Sequence, residues 1–404
     1  MYRLHQARED LLARLRPLAL DAAGLLRAWD TGRPETLPLL QAAASLQLLE
    51  SAGTTHRKPA FGLTHASVGG RTVEVREEAV LATPFCTLRR FAKDAADPGP
   101  RVLVVAPLSG HFATRLRGTL AALLPGHDVH VTDWADAREV LASAGPFGLD
   151  DMVGHLMDCF EALGPGAHAL SVSQPAVAAL AAAALMAEDN NPARPRSLTL
   201  VAGPVDTRID PTREEALAKL LPLAWIEHAA VDTVPPGYPG AGRRVRPGAR
   251  QVTSSVLSDL PRHLGAHLGQ FRSLLGGDAE AAEAHRRRYG ELRAVMDVPA
   301  ELYLDTVRRV FRGHEPALGR MAWRGRPVRP EAIRDTALLV VEGGRDGTCP
   351  AGQTRAALDL CPGLGVARKR HHLQPGAGHD ELFEGPTWAA EICPLVREVI
   401  RSSD

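Results

Sequence analysis

The sequence has few cysteines and no net charge, and each of these features argues against a class of protein. Its 404 residues include five cysteines, none of them in a Cys-x-x-Cys pair. An odd, scattered set of cysteines argues against a disulfide framework and favours a reducing compartment. Lysine plus arginine balance aspartate plus glutamate at 47 each, so bulk electrostatics gives no reason to expect a nucleic-acid-binding protein.

Long uninterrupted hydrophobic runs are also missing. The longest apolar stretch, residues 167–186, contains Gln174 and Pro175, which is typical of a buried strand followed by a buried helix rather than of a membrane span. Residues 1–6 lack the apolar segment of a secretory signal. Arginine clusters at 243–246 and 286–288 are predicted to be solvated surface. We therefore expect a soluble cytoplasmic protein with no membrane or nucleic-acid partner.

Hydrophobic periodicity divides the chain into three predicted parts. Apolar residues at helical spacing predict two N-terminal helices, at 5–29 and 34–52. Strands then alternate with helices as far as Asp206, and the alternation resumes after residue 330. The strands of this alternating part are predicted at 72–76, 102–107, 128–134, 168–172, 197–202, 337–342 and 369–374.

This alternation predicts a doubly wound, mainly parallel sheet of the α/β-hydrolase type. The predicted N-terminal helices occupy residues 1–59, and the core is formed by 60–206 and 331–404. Residues 207–330 are predicted to be a mostly helical cap, interrupted by a Pro/Gly/Arg-rich stretch at 234–250. Ligands of such sheets bind at the carboxyl ends of the strands, where a cap inserted late in the sheet would cover them.

A serine follows the predicted strand at 168–172. The turn Ser171-Val172-Ser173-Gln174-Pro175 is similar to the G-x-S-x-G elbow, in which a nucleophile sits between a strand and a helix. Serine is small enough for the first flank, and proline is accepted in the first turn of a helix. An isolated S-x-S-x-P string is also compatible with a plain helix cap, so its interpretation depends on partner residues.

The partner residues occur in the expected chain order of nucleophile, acid and histidine. Asp346 follows the strand at 337–342, and His379 follows the last strand, each beside glycine. Because both lie after strand carboxyl ends, His379 can reach Ser173 and Asp346 can fix its tautomer. The sequence therefore predicts a catalytic triad of Ser173, Asp346 and His379.

Backbone amides are predicted to form the oxyanion hole. The N–H of Gln174 follows the nucleophile, and Leu108 or Ser109 supplies the second donor from the loop after the strand at 102–107. The N-terminus of the following helix would stabilise the same negative charge.

Other polar residues offer weaker alternatives. Asp206 also follows a strand and is a rival acid, whereas Asp380 adjoins His379 and is expected to point elsewhere. His263 and His267 are one helical turn apart but lack the glutamate of an HExxH zinc motif. We therefore predict no metal site. The sequence also lacks a phosphate-binding loop and a dinucleotide fingerprint, so we predict no cofactor.

The chain resembles the intracellular polyhydroxybutyrate (polyhydroxyalkanoate) depolymerases over nearly its full length. The resemblance is carried by five strings: Thr83-Pro84-Phe85, residues 106–114, Thr132-Asp133-Trp134, residues 202–208 and residues 369–376. It implies an α/β-hydrolase fold, hydrolysis of stored poly(3-hydroxybutyrate), a place at the surface of polyester granules, and triad positions at Ser173, Asp346 and His379. It leaves the oligomeric state open, a homodimer included.

One position departs from the family pattern. The family usually has cysteine in a V-C-Q-P turn where this chain has Ser173, either as a natural variant or as an engineered replacement. Serine needs its proton removed during attack, whereas cysteine attacks as a thiolate. Two alternatives to a working depolymerase therefore stay open: a synthase-like acyltransferase with the same triad, and a catalytically impaired granule-surface protein.

Overall fold

The computed structural model describes residues 2–31, 33–49, 53–258 and 260–404. The predicted N-terminal helices correspond to α1 and α2, and residues 50–52 of the second prediction lie outside the described residues. The helices are α1 (Tyr2–Ala28), α2 (Leu37–Leu48), α3 (Arg117–Leu123), α4 (Leu149–Leu163), α5 (Ala176–Glu188), α6 (Arg213–Leu220), α7 (Leu223–Ala230), α8 (Gly248–Ser258), α9 (Leu260–Gly276), α10 (Ala279–Arg293), α11 (Ala300–Asp305), α12 (Ala356–Leu360), α13 (Gly385–Thr387) and α14 (Cys393–Ser403).

Nine strands form the central sheet, and five shorter ones lie in the segment between β7 and β13. The strands are β1 (His65–Val68), β2 (Arg71–Ala82), β3 (Cys86–Lys93), β4 (Arg101–Val105), β5 (Asp128–Trp134), β6 (His168–Val172), β7 (Ser197–Val201), β8 (Asp232–Thr233), β9 (Arg244–Arg246), β10 (Val298–Pro299), β11 (Ala322–Trp323), β12 (Arg326–Pro327), β13 (Ala337–Gly343) and β14 (Lys369–Gln374).

The central sheet has the strand order β1-β2-β3-β5-β4-β6-β7-β13-β14. The pairs from β5 to β14 are parallel, and β1, β2 and β3 add an antiparallel edge. The sheet is thus the predicted α/β-hydrolase type. The order reverses between β4 and β6, so the loops after these two strands meet at the switch point where such sheets bind ligands.

Burial explains why these segments form a parallel sheet. The apolar residues of β4 and every residue of β6, β7 and β13 are buried, as expected for strands that are covered on both faces. Helix α5 is rich in alanine, and its residues from Ala176 to Met186 are all buried. Helices α4 and α5 pack together, as do α3 and α14. The short side chains of α5 allow its close approach to the sheet.

The segment between β7 and β13 contains α6 to α11, in agreement with its predicted helical content. It also contains two features that the sequence patterns did not predict: an antiparallel sheet of order β10-β9-β8 and the hairpin β11-β12. The predicted domain boundaries themselves stay a prediction. Among the described residues, no helix is both long and apolar enough to cross a membrane.

Candidate active site

The turn between β6 and α5 has the backbone of a nucleophile elbow. Ser173 has φ = 61°, a conformation that non-glycine residues adopt mainly where the surrounding structure enforces it. Its N–H donates to the Val201 carbonyl at 2.7 Å, and its own carbonyl accepts from the N–H of Ala176 at 3.1 Å. The Ser173 side chain is thereby presented at the carboxyl edge of the sheet, beside the N-terminus of α5.

Gly203 lies directly under this turn. A Cβ at this position would overlap the Cβ of Ala176 and lie 3.2 Å from the Ser173 carbonyl oxygen. The Gly203 N–H donates to the Thr354 hydroxyl at 2.9 Å. The elbow therefore depends on glycine in a neighbouring strand loop as well as on its own residues.

We expect Gly203→Ala to destabilise the protein by roughly 1–3 kcal/mol, because a methyl group there overpacks the elbow. Chemical denaturation checks the change in the free energy of unfolding. Gly365→Ala is the matched control, since a Cβ at Gly365 meets no atom within 4 Å and its φ is −62°. Equal stability of the two variants would contradict the proposed packing.

The three predicted triad residues lie within hydrogen-bonding distance of one another. His379 Nε2 is 3.1 Å from Ser173 Oγ, and His379 Nδ1 is 2.7 Å from Asp346 Oδ2. The Asp346 carboxylate is fully buried and the His379 side chain is 17% exposed. Sequence positions 173, 346 and 379 are brought together because β6, β13 and β14 are parallel and end at the same edge.

The second oxygen of Asp346 fixes the orientation of its carboxylate. Asp346 Oδ1 accepts hydrogen bonds from the N–H groups of Thr348 at 2.8 Å and Cys349 at 2.9 Å. Oδ2 is therefore left to face the histidine. A carboxylate held in this way can orient an imidazole and stabilise its protonated form.

Glu342, at the end of β13, holds the loop that carries Asp346. Its Oε1 accepts from the N–H groups of Gly352, Thr354 and Arg355 at 2.8–2.9 Å, and its Oε2 lies 2.9 Å from His371 Nε2 on β14. Glu342 thus connects the strands that precede Asp346 and His379. Sequence reasoning missed this residue, although a glutamate directly after the five apolar residues of β13 was a usable signal.

The predicted oxyanion donors lie next to the elbow, and one of them already has an acceptor. The Leu108 N–H donates to Oε1 of the Gln174 side chain at 3.4 Å, and Gln174 Nε2 lies 3.9 Å from Met152 Sδ. Among the described residues, the N–H of Gln174 and that of Ser109 have no hydrogen-bond partner. The arrangement leaves Gln174 N–H available, whereas the Gln174 side chain would have to turn away to free Leu108.

The rival acids are bonded elsewhere. Asp206 forms a two-pronged ion pair with Arg208 at 2.7 and 2.8 Å, and this guanidinium holds the pKa of Asp206 below its usual range. Asp380 accepts from Arg115 at 2.7 Å, in line with its expected orientation away from Ser173. Asp346 is therefore the acid that meets His379.

No cysteine of the chain is presented as a nucleophile. All five are buried and unpaired. Cys349 is the one nearest to the triad in sequence, and burial raises the pKa of its thiol well above the usual value. A buried neutral thiol is a poor nucleophile, which leaves Ser173 as the hydroxyl or thiol group in contact with His379.

One group of potential metal ligands lies away from the elbow. His56, Asp136 and Asp297 offer atoms within 4.8 Å of one another. Asp297 already accepts from the Tyr2 hydroxyl at 2.6 Å and the Gly248 N–H at 3.0 Å, and its own N–H donates to Asp136 at 2.9 Å. Burial and the Asp136 carboxylate raise the pKa of Asp297 to about 6. The cluster is a hydrogen-bonded junction between α1, the loop after β5, the start of α8 and the residue before β10.

The other candidate pair of ligands packs among aromatic rings. His263 Nδ1 lies 2.8 Å from the Tyr289 hydroxyl, and the His267 ring centroid is 4.5 Å from that of Tyr289. Within the described ranges, no third ligand atom converges on His263 and His267. Their helical spacing thus places them on the packing face between α9 and α10.

Comparison with known proteins gives one family match. The model described as PHB de-polymerase C-terminus matches residues 202–404, just over half of the chain. The matched range contains Asp346, His379, Gly203 and Glu342, and Ser173 precedes it. No curated protein matches this chain.

Several solved structures match this chain at low sequence identity. The structure of DcsB with a substrate analogue has a TM-score of 0.48 and 13% identity, covering 82% of this chain and 99% of that one. A monoacylglycerol lipase from Paleococcus ferrophilus has a TM-score of 0.44 and 15% identity, with 78% and 99% covered. A thermophilic esterase from Thermogutta terrifontis with malate bound has a TM-score of 0.42 and 14% identity, with 82% and 99% covered.

Proposed function

The chain belongs to the family described as PHB de-polymerase C-terminus, and on that premise we propose that it hydrolyses ester bonds of intracellular poly(3-hydroxybutyrate) through an acyl-enzyme. The observation that carries the proposal is the continuous hydrogen-bonded series from Ser173 through His379 to Asp346 at a turn with positive φ. A serine, a histidine and a buried carboxylate in this arrangement are the groups that ester hydrolysis by acyl transfer requires.

The proposed reaction has two steps. Ser173 Oγ attacks the ester carbonyl as His379 Nε2 takes its proton, and Asp346 stabilises the resulting imidazolium. The N–H of Gln174, joined by that of Leu108 or Ser109, donates to the oxyanion. His379 then protonates the leaving 3-hydroxyl oxygen, which breaks the ester bond. A water molecule, deprotonated by His379, attacks the acyl-serine carbonyl. The bond from that carbonyl to Ser173 Oγ then breaks, His379 returns the proton to Oγ, and the acid is released.

Serine at the nucleophile position is compatible with this chemistry. In neutral form it needs a base within hydrogen-bonding distance, and the 3.1 Å separation from His379 Nε2 meets that requirement. We therefore propose that the Ser173 protein is active, and that it works at the surface of polyester granules, where amorphous polymer is present.

Release of 3-hydroxybutyrate from amorphous poly(3-hydroxybutyrate) granules tests the proposal. We expect the protein to release product, and we expect no large gain in rate from Ser173→Cys, because His379 Nε2 already lies within hydrogen-bonding distance of the serine oxygen and can act as its base. A gain of about 100-fold or more with cysteine would indicate a site adapted to a thiol and an impaired serine form. Assays with and without an added alcohol identify acyl transfer, which would favour the synthase-like alternative.

A further inference from the structure

Arg246, the last residue of β9, carries a guanidinium that is largely shielded from solvent and has few acceptors. The prediction that the arginine cluster at 243–246 is solvated surface is wrong for Arg243 and Arg246, which are 7% exposed as a residue and 13% exposed in the side chain, respectively. The Arg246 guanidinium lies 4.6 Å from the centre of the Tyr303 ring. Among the described residues it makes one hydrogen bond, from Nη1 to Gln251 Oε1 at 2.9 Å, and one long ion pair, 3.6 Å to Glu214. The Glu214 side chain is itself 61% exposed.

Arg309 is a buried arginine with two close carboxylate partners. The Arg309 side chain is 10% exposed, and it meets Asp150 at 2.7 Å and Glu315 at 2.9 Å. The Arg246 side chain is 13% exposed, and the one carboxylate within 4 Å of it among the described residues is that of the exposed Glu214, at 3.6 Å. A buried cation without a close anion is costly, and a guanidinium has five N–H donors arranged to bind a carboxylate with two hydrogen bonds.

The neighbours of Arg246 connect it to the loop of the predicted oxyanion donors. Its hydrogen-bond partner Gln251 lies against Gly110, where an added Cβ would be 3.0 Å from the Gln251 Cβ. Gly110 also accepts from the N–H of Met296 at 3.0 Å. Gly110 is two residues after Leu108, so Arg246 is separated from the oxyanion loop by one side chain.

Glu214, the ion-pair partner of Arg246, is adjacent in sequence to a residue that contacts the segment after Asp346. Glu214 lies on α6, and the next residue, Glu215, accepts from Gln353 Nε2 at 3.0 Å. Gln353 belongs to the segment that Glu342 holds after Asp346, and its carbonyl accepts from the Asp206 N–H at 3.0 Å. Arg246 therefore lies between two helices. Helix α8 contacts Gly110, close to the predicted oxyanion donors, and α6 contacts the segment that follows Asp346.

We infer that Arg246 is a substrate-binding residue that recognises the free carboxylate end of a 3-hydroxybutyrate ester oligomer. This inference rests on the proposed function. An internal segment of the polyester is neutral and offers no anion, whereas the acid end of each short chain carries one carboxylate. Binding of that end would give Arg246 a close anion, displace the exposed Glu214, and favour cleavage near the carboxyl terminus of soluble oligomers.

Calorimetric binding of the 3-hydroxybutyrate dimer tests the inference, with the free acid compared with its methyl ester. The Ser173→Ala background keeps the ester intact. We expect the free acid to bind at least about tenfold more tightly than the methyl ester, as charge-assisted hydrogen bonds predict. Arg246→Gln should bring this ratio close to one, and Glu214→Gln should raise it, because the competing carboxylate is gone.

Two further variants separate recognition from structural support. Arg244→Gln removes the same charge two residues away on β9, where the side chain is 47% exposed and paired with Glu227, and it should keep the ratio of the parent. Arg246→Lys keeps the positive charge but loses the planar guanidinium that can bind a carboxylate with two hydrogen bonds, so we expect an intermediate ratio of the two affinities. This variant also tests the inference if Arg246→Gln fails to fold.

The possible results distinguish the two proposals. A ratio near one in the Ser173→Ala protein, or an unchanged ratio after Arg246→Gln, overturns the carboxylate site and leaves ester hydrolysis standing. Carboxylate-dependent binding through Arg246, together with no hydrolysis of oligomers or granules by the Ser173 protein, supports the site and overturns the proposed function.

Discussion

Ser173→Ala is expected to lower the release of 3-hydroxybutyrate at least about 10³-fold, as removal of a triad nucleophile generally does. The substitution removes Oγ, whose contact with His379 Nε2 at 3.1 Å starts the reaction. The backbone of the turn should persist, because the hydrogen bonds to Val201 and from Ala176 are made by main-chain atoms. Initial-rate assays on amorphous granules measure the loss, and thermal unfolding should show a similar Tm.

A serine-directed phosphonate gives an independent control for the same variant. We expect one covalent adduct per chain in the Ser173 protein and none after Ser173→Ala, as judged by intact mass. Retained turnover in the variant, or an adduct at another residue, would contradict the assignment. An absence of any adduct in the unmodified protein, together with binding to granules, would favour the impaired granule-surface alternative.

Strand order explains why the sequence was informative about the triad. Ser173, Asp346 and His379 each follow a strand of a parallel sheet, and strands of this kind present their carboxyl ends at one edge. The periodicity of apolar residues was enough to place those strands: the predicted strand at 369–374 coincides with β14, and 168–172 coincides with β6. Topology then brings together residues that are far apart in the chain.

The remaining features depend on contacts that periodicity does not encode. Strand β3 was not predicted. The prediction for β2 stopped at residue 76, although the strand continues to Ala82, because most of its residues are exposed and the alternation of polar and apolar residues is lost there. Strands β8 and β10 are only two residues long, too short for any pattern. The hydrogen bond from the Leu108 N–H to the Gln174 side chain and the hydrogen bonds of Glu342 depend on side-chain conformations, which a single sequence does not reveal.

The oxyanion donors were predicted to be the N–H of Gln174 together with that of Leu108 or Ser109. The Leu108 N–H is bonded to Gln174 Oε1 at 3.4 Å, whereas the N–H groups of Gln174 and Ser109 have no hydrogen-bond partner among the described residues. A bond of this length is weak, so the cost of displacing it is small. The Leu108 N–H therefore costs little to free for an oxyanion, and the Ser109 N–H needs no such displacement.

Asp346→Asn is expected to lower kcat about 10⁴-fold with little change in KM, by analogy with the same change in serine hydrolases. The structure gives a specific reason. Asp346 Oδ1 accepts from the N–H groups of Thr348 and Cys349, so the asparagine oxygen must occupy that position. The amide nitrogen then faces His379 Nδ1 and donates to it. His379 is thereby held with its proton on Nε2, where it cannot accept the proton of Ser173.

Asp206→Asn is the matched control for this prediction, because Asp206 also follows a strand at the same edge and was the rival acid. Its carboxylate is bonded to Arg208, so its loss should lower kcat only a few-fold. Steady-state kinetics on a soluble 3-hydroxybutyrate oligomer measures both variants. Losses of equal size would contradict the role of Asp346 in orienting His379. A large loss confined to Asp346→Asn means that the tautomer of His379 controls proton transfer from Ser173.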